Sequence, residues 1–210
     1  MNRSEKFWDR AASTYDQEEK GNQQTLLKIL EKTKKYLNMD SVVLDLGCGT
    51  GLVSNEIAGN VKIIHAIDTS ANMIELAKNK AVKHNIENIE FFHTDVFDER
   101  FVTGSYDVIL VFYVLYFFKD IQMVMQRTHD LLKPGGLMIS AAPWMGSKTF
   151  KSVLLLLLGK IGLVPDLHFY KVSEFTALLA NEKFEIIESV CLHESSQQYY
   201  LVARKNGEHS

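Results

Sequence analysis

The ten residues Val42-Val43-Leu44-Asp45-Leu46-Gly47-Cys48-Gly49-Thr50-Gly51 constrain the fold more than any other stretch of this chain. An apolar, β-branched run of this length reads as a strand buried on both faces. It carries an acidic residue near its end, and glycines follow at alternate positions. Glycine lets the backbone turn sharply and come close to a ligand with no side chain in the way. A helix is expected from about Leu52, and its N-terminal N–H groups then point into the same place. Strand, glycine turn and helix N-terminus together make a small-molecule cofactor site.

The details select the cofactor. A dinucleotide fingerprint reads G-x-G-x-x-G, its third glycine serving helix–strand packing. Here the spacing is Gly47, Gly49, Gly51, and Leu52 follows. Asp45, two residues before the first glycine, would repel a pyrophosphate but suits a cationic amino group. A second acid, Asp68, closes the apolar run 61–68, where a carboxylate can accept both ribose hydroxyls of a nucleoside. A ligand with a ribose, an amino group and no phosphate is wanted, and S-adenosylmethionine (SAM) fits.

The ordered motifs resemble those of the class I SAM-dependent methyltransferases of the small-molecule type. Asp45 to Gly51 matches the first motif of that family, and Asp68 its ribose-binding acid. Thr94-Asp95-Val96 matches the adenine position, Tyr106-Asp107-Val108-Ile109-Leu110-Val111 the fourth strand, and Leu131-Leu132-Lys133-Pro134-Gly135-Gly136 the turn before the fifth. Phe7 to Asp16 resembles the N-terminal segment that closes over the cofactor. The resemblance implies an α/β fold, a Rossmann-like doubly wound sheet of seven strands ordered 3-2-1-4-5-7-6, the seventh antiparallel, with helices on both faces. It also implies site roles. Gly47, Cys48, Gly49 and Gly51 approach the homocysteine part and Asp45 its amino group. Asp68 takes the ribose, Thr69 and Met73 flank the adenosine, and Asp95 and Val96 meet the adenine. Phe112 lies near the methionine moiety and Tyr15 closes the site.

The residues themselves support the alternation. Strands are expected near 42–46, 62–67, 89–93, 108–112, 137–141, 184–191 and 199–203. Helices are expected near 23–37, 52–58, 71–85, 121–132 and 173–180, with Ser70 and Ser173 as N-caps. At 210 residues, one domain over 1–210 is expected, with a cofactor-covering segment at 1–22 and a substrate lid or insert at 143–172. The net charge of −3 argues against a nucleic-acid surface. The cluster Lys32, Lys34, Lys35 reads as a solvated helix face. Two cysteines, Cys48 and Cys191, form no C-x-x-C pair, so neither structural zinc nor a disulfide framework is expected. The first residues lack the apolar core of a signal peptide, which makes a cytoplasmic setting the expectation. The apolar run 153–158 is too short to span a bilayer and reads as a lid, dimer contact or membrane contact. A monomer or homodimer is expected.

The acceptor side is less defined. Tyr113, Tyr116, Phe117 and Phe118 follow the fourth strand, where ligands enter open α/β sheets. Trp144, His168, Phe169 and Tyr170 are expected to supply an opposite wall. His168, Tyr113 and Tyr116 are the candidate catalytic residues, with His168 the candidate base. His65 and His93 fall in expected strands and read as structural. The Asn/Asp-Pro-Pro-Tyr/Phe motif of amide-nitrogen methylation is absent after the fourth strand, where Val111-Phe112-Tyr113-Val114 stands. No metal-binding acid cluster is evident. The expectation is a SAM-dependent methyltransferase with a small-molecule acceptor. The alternatives are a SAM-binding subunit without catalysis and a nucleotide-dependent oxidoreductase, the latter disfavoured by the glycine spacing, Asp45 and the absence of a Tyr-x-x-x-Lys pair.

Overall fold

A computed structural model describes residues 3–19, 23–143, 159, 164–168, 170–193 and 198–207. The described elements run α1 (Arg3–Glu19), α2 (Gln23–Lys34), β1 (Val42–Leu46), α3 (Leu52–Ile57), β2 (Ile63–Asp68), α4 (Ala71–Lys83), β3 (Ile89–His93), β4 (Tyr106–Phe112), α5 (Ile121–Leu131), β5 (Leu132–Pro143), α6 (Val172–Asn181), β6 (Phe184–His193) and β7 (Gln198–Lys205). Short 3₁₀ turns sit at Ala58–Asn60 and Leu115–Phe117. The strands form one seven-stranded sheet in the order β3-β2-β1-β4-β5-β7-β6. The pairs from β3 to β5 are parallel, and β7 runs antiparallel to both β5 and β6.

Alternation along the central strands sorts the side chains into two cores. On β1, Leu44 and Leu46 face the core that packs against α5 and α6, with Ile109, Met125 and Phe175. Val43 faces the other core, with Ile29 of α2, Ile57 of α3 and Ile74 of α4. Period-two geometry then puts Asp45 on the α3 side. That placement decides its partner below.

Three features differ from the sequence expectation. The segment ahead of α2 is a seventeen-residue helix, α1. The last helix begins at Val172 rather than after a Ser173 cap, because Glu174 reaches back to accept from the Lys171 N–H at 2.9 Å. Ser70 does cap α4, its Oγ accepting from the Met73 N–H at 3.2 Å. Lys32 is not part of a solvated face: it pairs with Glu188 of β6 at 2.7 Å, where Tyr36 also donates at 2.6 Å, so the lysine docks α2 on the sheet. Lys34 and Lys35 are exposed as expected. Most of the expected insert, residues 144–158, 160–163 and 169, including Trp144, Phe169 and the apolar run 153–158, lies outside the described residues.

Gly51 is held at φ +75° as it starts α3, and an added Cβ would stand 3.0 Å from Ala77 Cβ of α4 and 3.1 Å from Asn55 Nδ2. Gly51→Ala therefore combines a strained backbone with a forced separation of α3 and α4, and should lower stability by about 1–3 kcal/mol. Urea unfolding reads this directly, and an unchanged midpoint would contradict the packing described.

Candidate active site

The glycine turn folds over the end of β2. The Gly47 and Cys48 N–H groups both donate to the Ile67 carbonyl at 2.9 Å, and the Gly51 N–H donates to the Cys48 carbonyl at 2.9 Å. Gly47 has φ +75°, and a Cβ there would meet Val114 Cγ2 at 2.7 Å, so only glycine fits beneath the chain leaving β4. Asp68 ties the turn to α4. One carboxylate oxygen accepts from the Gly49 N–H at 3.0 Å and the other from the Ser70 N–H at 2.8 Å.

A cavity of about 640 Å³ opens beside this turn, at the C-terminal edge of the parallel strands. Of the residues assigned from sequence, Tyr15, Gly47, Gly49, Asp68, Thr69, Met73, Asp95, Val96, Phe112, Tyr113 and Tyr116 line it. A smaller chamber adjoins it, lined by Asp45, Cys48 and Thr50, and shares Tyr15, Gly47, Gly49, Phe112 and Tyr113 with the larger one. Gly51 lines neither and instead spaces α3 from α4. His168 lines neither either. It is half-buried, and its N–H donates to the Tyr116 carbonyl at 2.8 Å. Tyr170 packs against the α5–α6 core. The wall opposite Tyr116 and Phe117 thus comes, among the described residues, from α1, through Ser4, Phe7, Trp8 and Ala11.

The acids are placed unequally. Asp45 is 3% exposed and accepts from Ser54 Oγ of α3. Burial pushes its carboxyl up to about 6, against the pull of the Ser54 hydrogen bond and with a further push from Asp68. Asp68 is half-buried and is also raised, by burial first, while the Ser70 and Gly49 N–H groups hold it down. Asp95 is exposed, and its Oδ1 accepts from the Phe97 N–H at 2.8 Å, which leaves Oδ2 for another donor. Arg127 of α5 fixes this loop through the carbonyls of Val96 at 3.1 Å and Phe101 at 2.8 Å. Burial also pushes the Cys48 thiol well up, which disfavours the thiolate that a nucleophile would need. His93 bonds the Thr69 carbonyl at 2.9 Å and His65 the Tyr106 hydroxyl at 2.8 Å, structural positions both.

Sequence reasoning missed how α1 is fastened. Asp9 accepts from Ser70 Oγ at 2.6 Å and from the Asn72 N–H at 3.2 Å. Asp16 accepts from Thr50 Oγ1 at 2.6 Å and pairs with Lys80 of α4. Both acids sit on the quoted segment 7–16, seven residues apart, which is two helical turns and one face. That spacing was the available signal. Ser54, Gln198 and Phe97 carried none, because each is a common residue given meaning only by its neighbours in space.

The geometry stands beside clear relatives. The profile of a methyltransferase domain family matches residues 37–207, and the chain belongs to the class I SAM-dependent methyltransferases. Aklanonic acid methyltransferase DauC of Streptomyces sp. (strain C5) is 31% identical over 111 residues, covering 51% of this chain and 50% of that protein. The ubiquinone biosynthesis O-methyltransferase of Shewanella sp. (strain ANA-3) is 30% identical over 144 residues, covering 66% of this chain and 61% of that one. The chain spans about half the length of the curated relatives it matches. The YcgJ protein of Bacillus subtilis shares the fold at a TM-score of 0.71 and 15% identity, over 86% of this chain and 99% of that one. Among the described residues no helix is long and apolar enough to cross a membrane, and no cluster of three or more His, Cys, Asp or Glu could hold a metal.

The buried Asp45 makes a testable stability difference. Its carboxyl is harder to ionise in the folded chain than at the ordinary value of 3.8. The folded state carries that cost in full above pH 6 and loses it as the pH falls from about 6 to about 4. The gap from 3.8 to about 6 corresponds to about 3 kcal/mol. Without ligand, Asp45→Asn should be more stable than the parent by about 1–3 kcal/mol at pH 8, with the advantage gone at pH 4. Unfolding free energies of both proteins across that range decide it, and a difference independent of pH would refute the buried-charge account.

Proposed function

We propose that the protein transfers the methyl group of SAM to a small-molecule acceptor, and that it does so in the cytoplasm as a monomer or homodimer. The observation that carries this reading is the coupling of the glycine turn to Asp68 beside a cavity whose charged described lining is Asp68 and Asp95, with Asp45 in the adjoining chamber. An acid-lined site suits a cofactor bearing a sulfonium and an ammonium, and is hostile to a pyrophosphate. Family membership supports the same donor.

The roles follow the geometry. Asp68 keeps lone pairs beyond the two engaged by Gly49 and Ser70, and these accept the ribose hydroxyls. Thr69 and Met73 flank the adenosine, while Asp95 Oδ2 accepts from the adenine amino group and Val96 adds backbone contact. Asp45 faces the cofactor's ammonium from the smaller chamber, beside Gly47, Cys48 and Gly49. An ammonium there offsets the cost of ionising Asp45. Phe112, Tyr113 and Tyr15 border both chambers, at the level where the sulfonium sits. The helix α1, fastened through Asp9 and Asp16, covers the cofactor, and Pro143 borders the acceptor side.

SAM carries its own activation, so the protein supplies alignment and dryness. The acceptor lone pair attacks the methyl carbon from about 3–3.5 Å, opposite the sulfur. The new bond to carbon forms as the carbon–sulfur bond breaks, its electron pair staying on sulfur. S-adenosylhomocysteine and the methylated acceptor would result, the acceptor's proton being released to bulk solvent outside the closed site. Free thiols at Cys48 and Cys191 are compatible with a reducing compartment.

Calorimetric titration of the full chain with SAM and, separately, with NADH tests the reading. SAM is expected to bind and NADH is not. Asp68→Ala should weaken SAM binding by about 1.5–3 kcal/mol, roughly ten- to a hundred-fold. The closer variant Asp68→Asn, which keeps one oxygen to accept from either Gly49 or Ser70, should weaken it too. Binding of NADH alone, or unchanged SAM affinity in both variants, would overturn the assignment.

A further inference from the structure

The cavity is longer than the part assigned to the cofactor. Neighbouring strands lie about 4.8 Å apart, so the edge from β2 to β7, across β1, β4 and β5, spans about 19 Å. The acids that address the nucleoside, Asp68 and Asp95, follow β2 and β3. The other end of the cavity is bounded by Tyr113 after β4, Pro143 of β5 and Gln198 of β7. These three are joined: Pro143 and Gln198 are paired in register, and the Tyr113 N–H donates to the Ala141 carbonyl at 2.8 Å.

Tyr113 holds a φ of +54°, a left-handed backbone that a bulky residue adopts only under constraint. Such strain at the mouth of a parallel sheet points to use. The conformation leaves the Tyr113 hydroxyl donating to Gln198 Oε1 at 3.3 Å. With its oxygen so engaged, the Gln198 amide presents N–H donors that this bond does not use. The same cavity is lined by the rings of Trp8 and Phe117, centroids 5.2 Å apart and edge-to-face, and by Tyr116, 4.5 Å from Phe117.

Charge narrows the occupant. No Lys, Arg or His lines the cavity among the described residues, and its charged lining is acidic. A carboxylate or phosphate acceptor would face these acids without a counter-charge. An ammonium has no lone pair for the methyl group. On the reading that the neighbouring half holds SAM, we infer that the Tyr113–Gln198 pair is the anchor for the oxygen of a neutral, flat aromatic acceptor carrying a hydroxyl, its ring set against Trp8, Tyr116 and Phe117. Gln198 donates to the acceptor oxygen and Tyr113 holds the amide in that orientation. Gln198 is a positioning and specificity residue, distinct from the groups that hold the cofactor.

The test uses the full chain with S-adenosylhomocysteine, and 2-naphthol, 2-naphthoate and naphthalene as probes, by calorimetry. Titration with S-adenosylhomocysteine comes first. In the saturated protein, 2-naphthol is expected to bind at least ten-fold tighter than either other probe. Gln198→Leu should remove ten-fold or more of the naphthol affinity, leaving naphthalene and S-adenosylhomocysteine affinities within two-fold. Those two unchanged affinities also certify that the variant is folded. Gln198→Asn, which keeps an amide, should recover part of the preference. If S-adenosylhomocysteine fails to bind, the methyltransferase reading falls and this one with it. If it binds but naphthol binding is absent at millimolar concentration, is matched by naphthoate, or is unmoved by Gln198→Leu, the anchor alone is overturned.

Discussion

The carboxylate of Asp68 holds the centre of this molecule together. It ends β2, and its oxygens grip the Gly49 N–H at 3.0 Å on one side and the Ser70 N–H at 2.8 Å on the other. Gly49 belongs to the turn after β1, and Ser70 is the cap of α4, so one side chain sets two crossovers against each other. Ser70 passes the constraint on, since its hydroxyl both receives from Met73 and donates to Asp9 of α1. A chain of hydrogen bonds therefore runs from the glycine turn to the helix that roofs the cavity. Each link involves a charged acceptor at one of the acids, which strengthens it relative to a neutral pair. A carboxylate can carry this load and still bind a diol, because it offers about four acceptor sites.

The same acids set a tension that a cationic ligand resolves. Asp45 and Asp68 both sit where burial opposes their ionisation, and the charge of Asp68 adds to the difficulty at Asp45. Among the described residues, Asp45 has a serine hydroxyl for company, not a counter-ion. A folded chain that keeps such a group gives up stability in the empty state. The compensation comes when a positive group enters, since the field of a buried carboxylate is weakly screened. Stability and affinity are thus opposite faces of one placement, fixed by the two-residue period of β1 that turns Asp45 toward α3 and away from the core of Leu44 and Leu46. The helix α1 extends this pattern: its Asp9 and Asp16 fasten to α4 and to the glycine turn, so the roof is tied to the two elements that Asp68 already joins.

The acid-lined half of the cavity was legible in the sequence because the residues that form it are local. Gly47, Gly49 and Asp45 lie within five residues, Asp68 closes the apolar run of β2, and Asp95 follows the end of β3 by two residues. The strand order followed from the family resemblance, which the register now bears out through β7. Boundaries slipped where side chains overrode the pattern, as at Lys171 and Glu174, where a backward hydrogen bond starts α6 early. The helical character of α1 went unread because its apolar residues, Phe7, Trp8 and Tyr15, face a cavity and a few rings, not a core that would impose a full stripe.

The opposite half was illegible for a different reason. Its wall is assembled from α1, the turn after β4, β5 and β7, and the bond that organises it joins Tyr113 to Gln198 across 85 positions. Nothing at position 198 marks that glutamine in a linear reading. The aromatic run after β4 was visible, yet sequence could not say which rings it would meet; among the described residues Trp8 meets Phe117. This division is expected wherever the donor is shared and the acceptor varies. The donor's charges can be met by short motifs at strand ends, which tolerate no change in spacing. An acceptor is met by shape and by one or two oriented polar groups, drawn from whichever distant elements border the space that remains. In this chain that space is bounded by a strained tyrosine and an amide, and their shared hydrogen bond gives a ring-walled, acid-fringed cavity a direction.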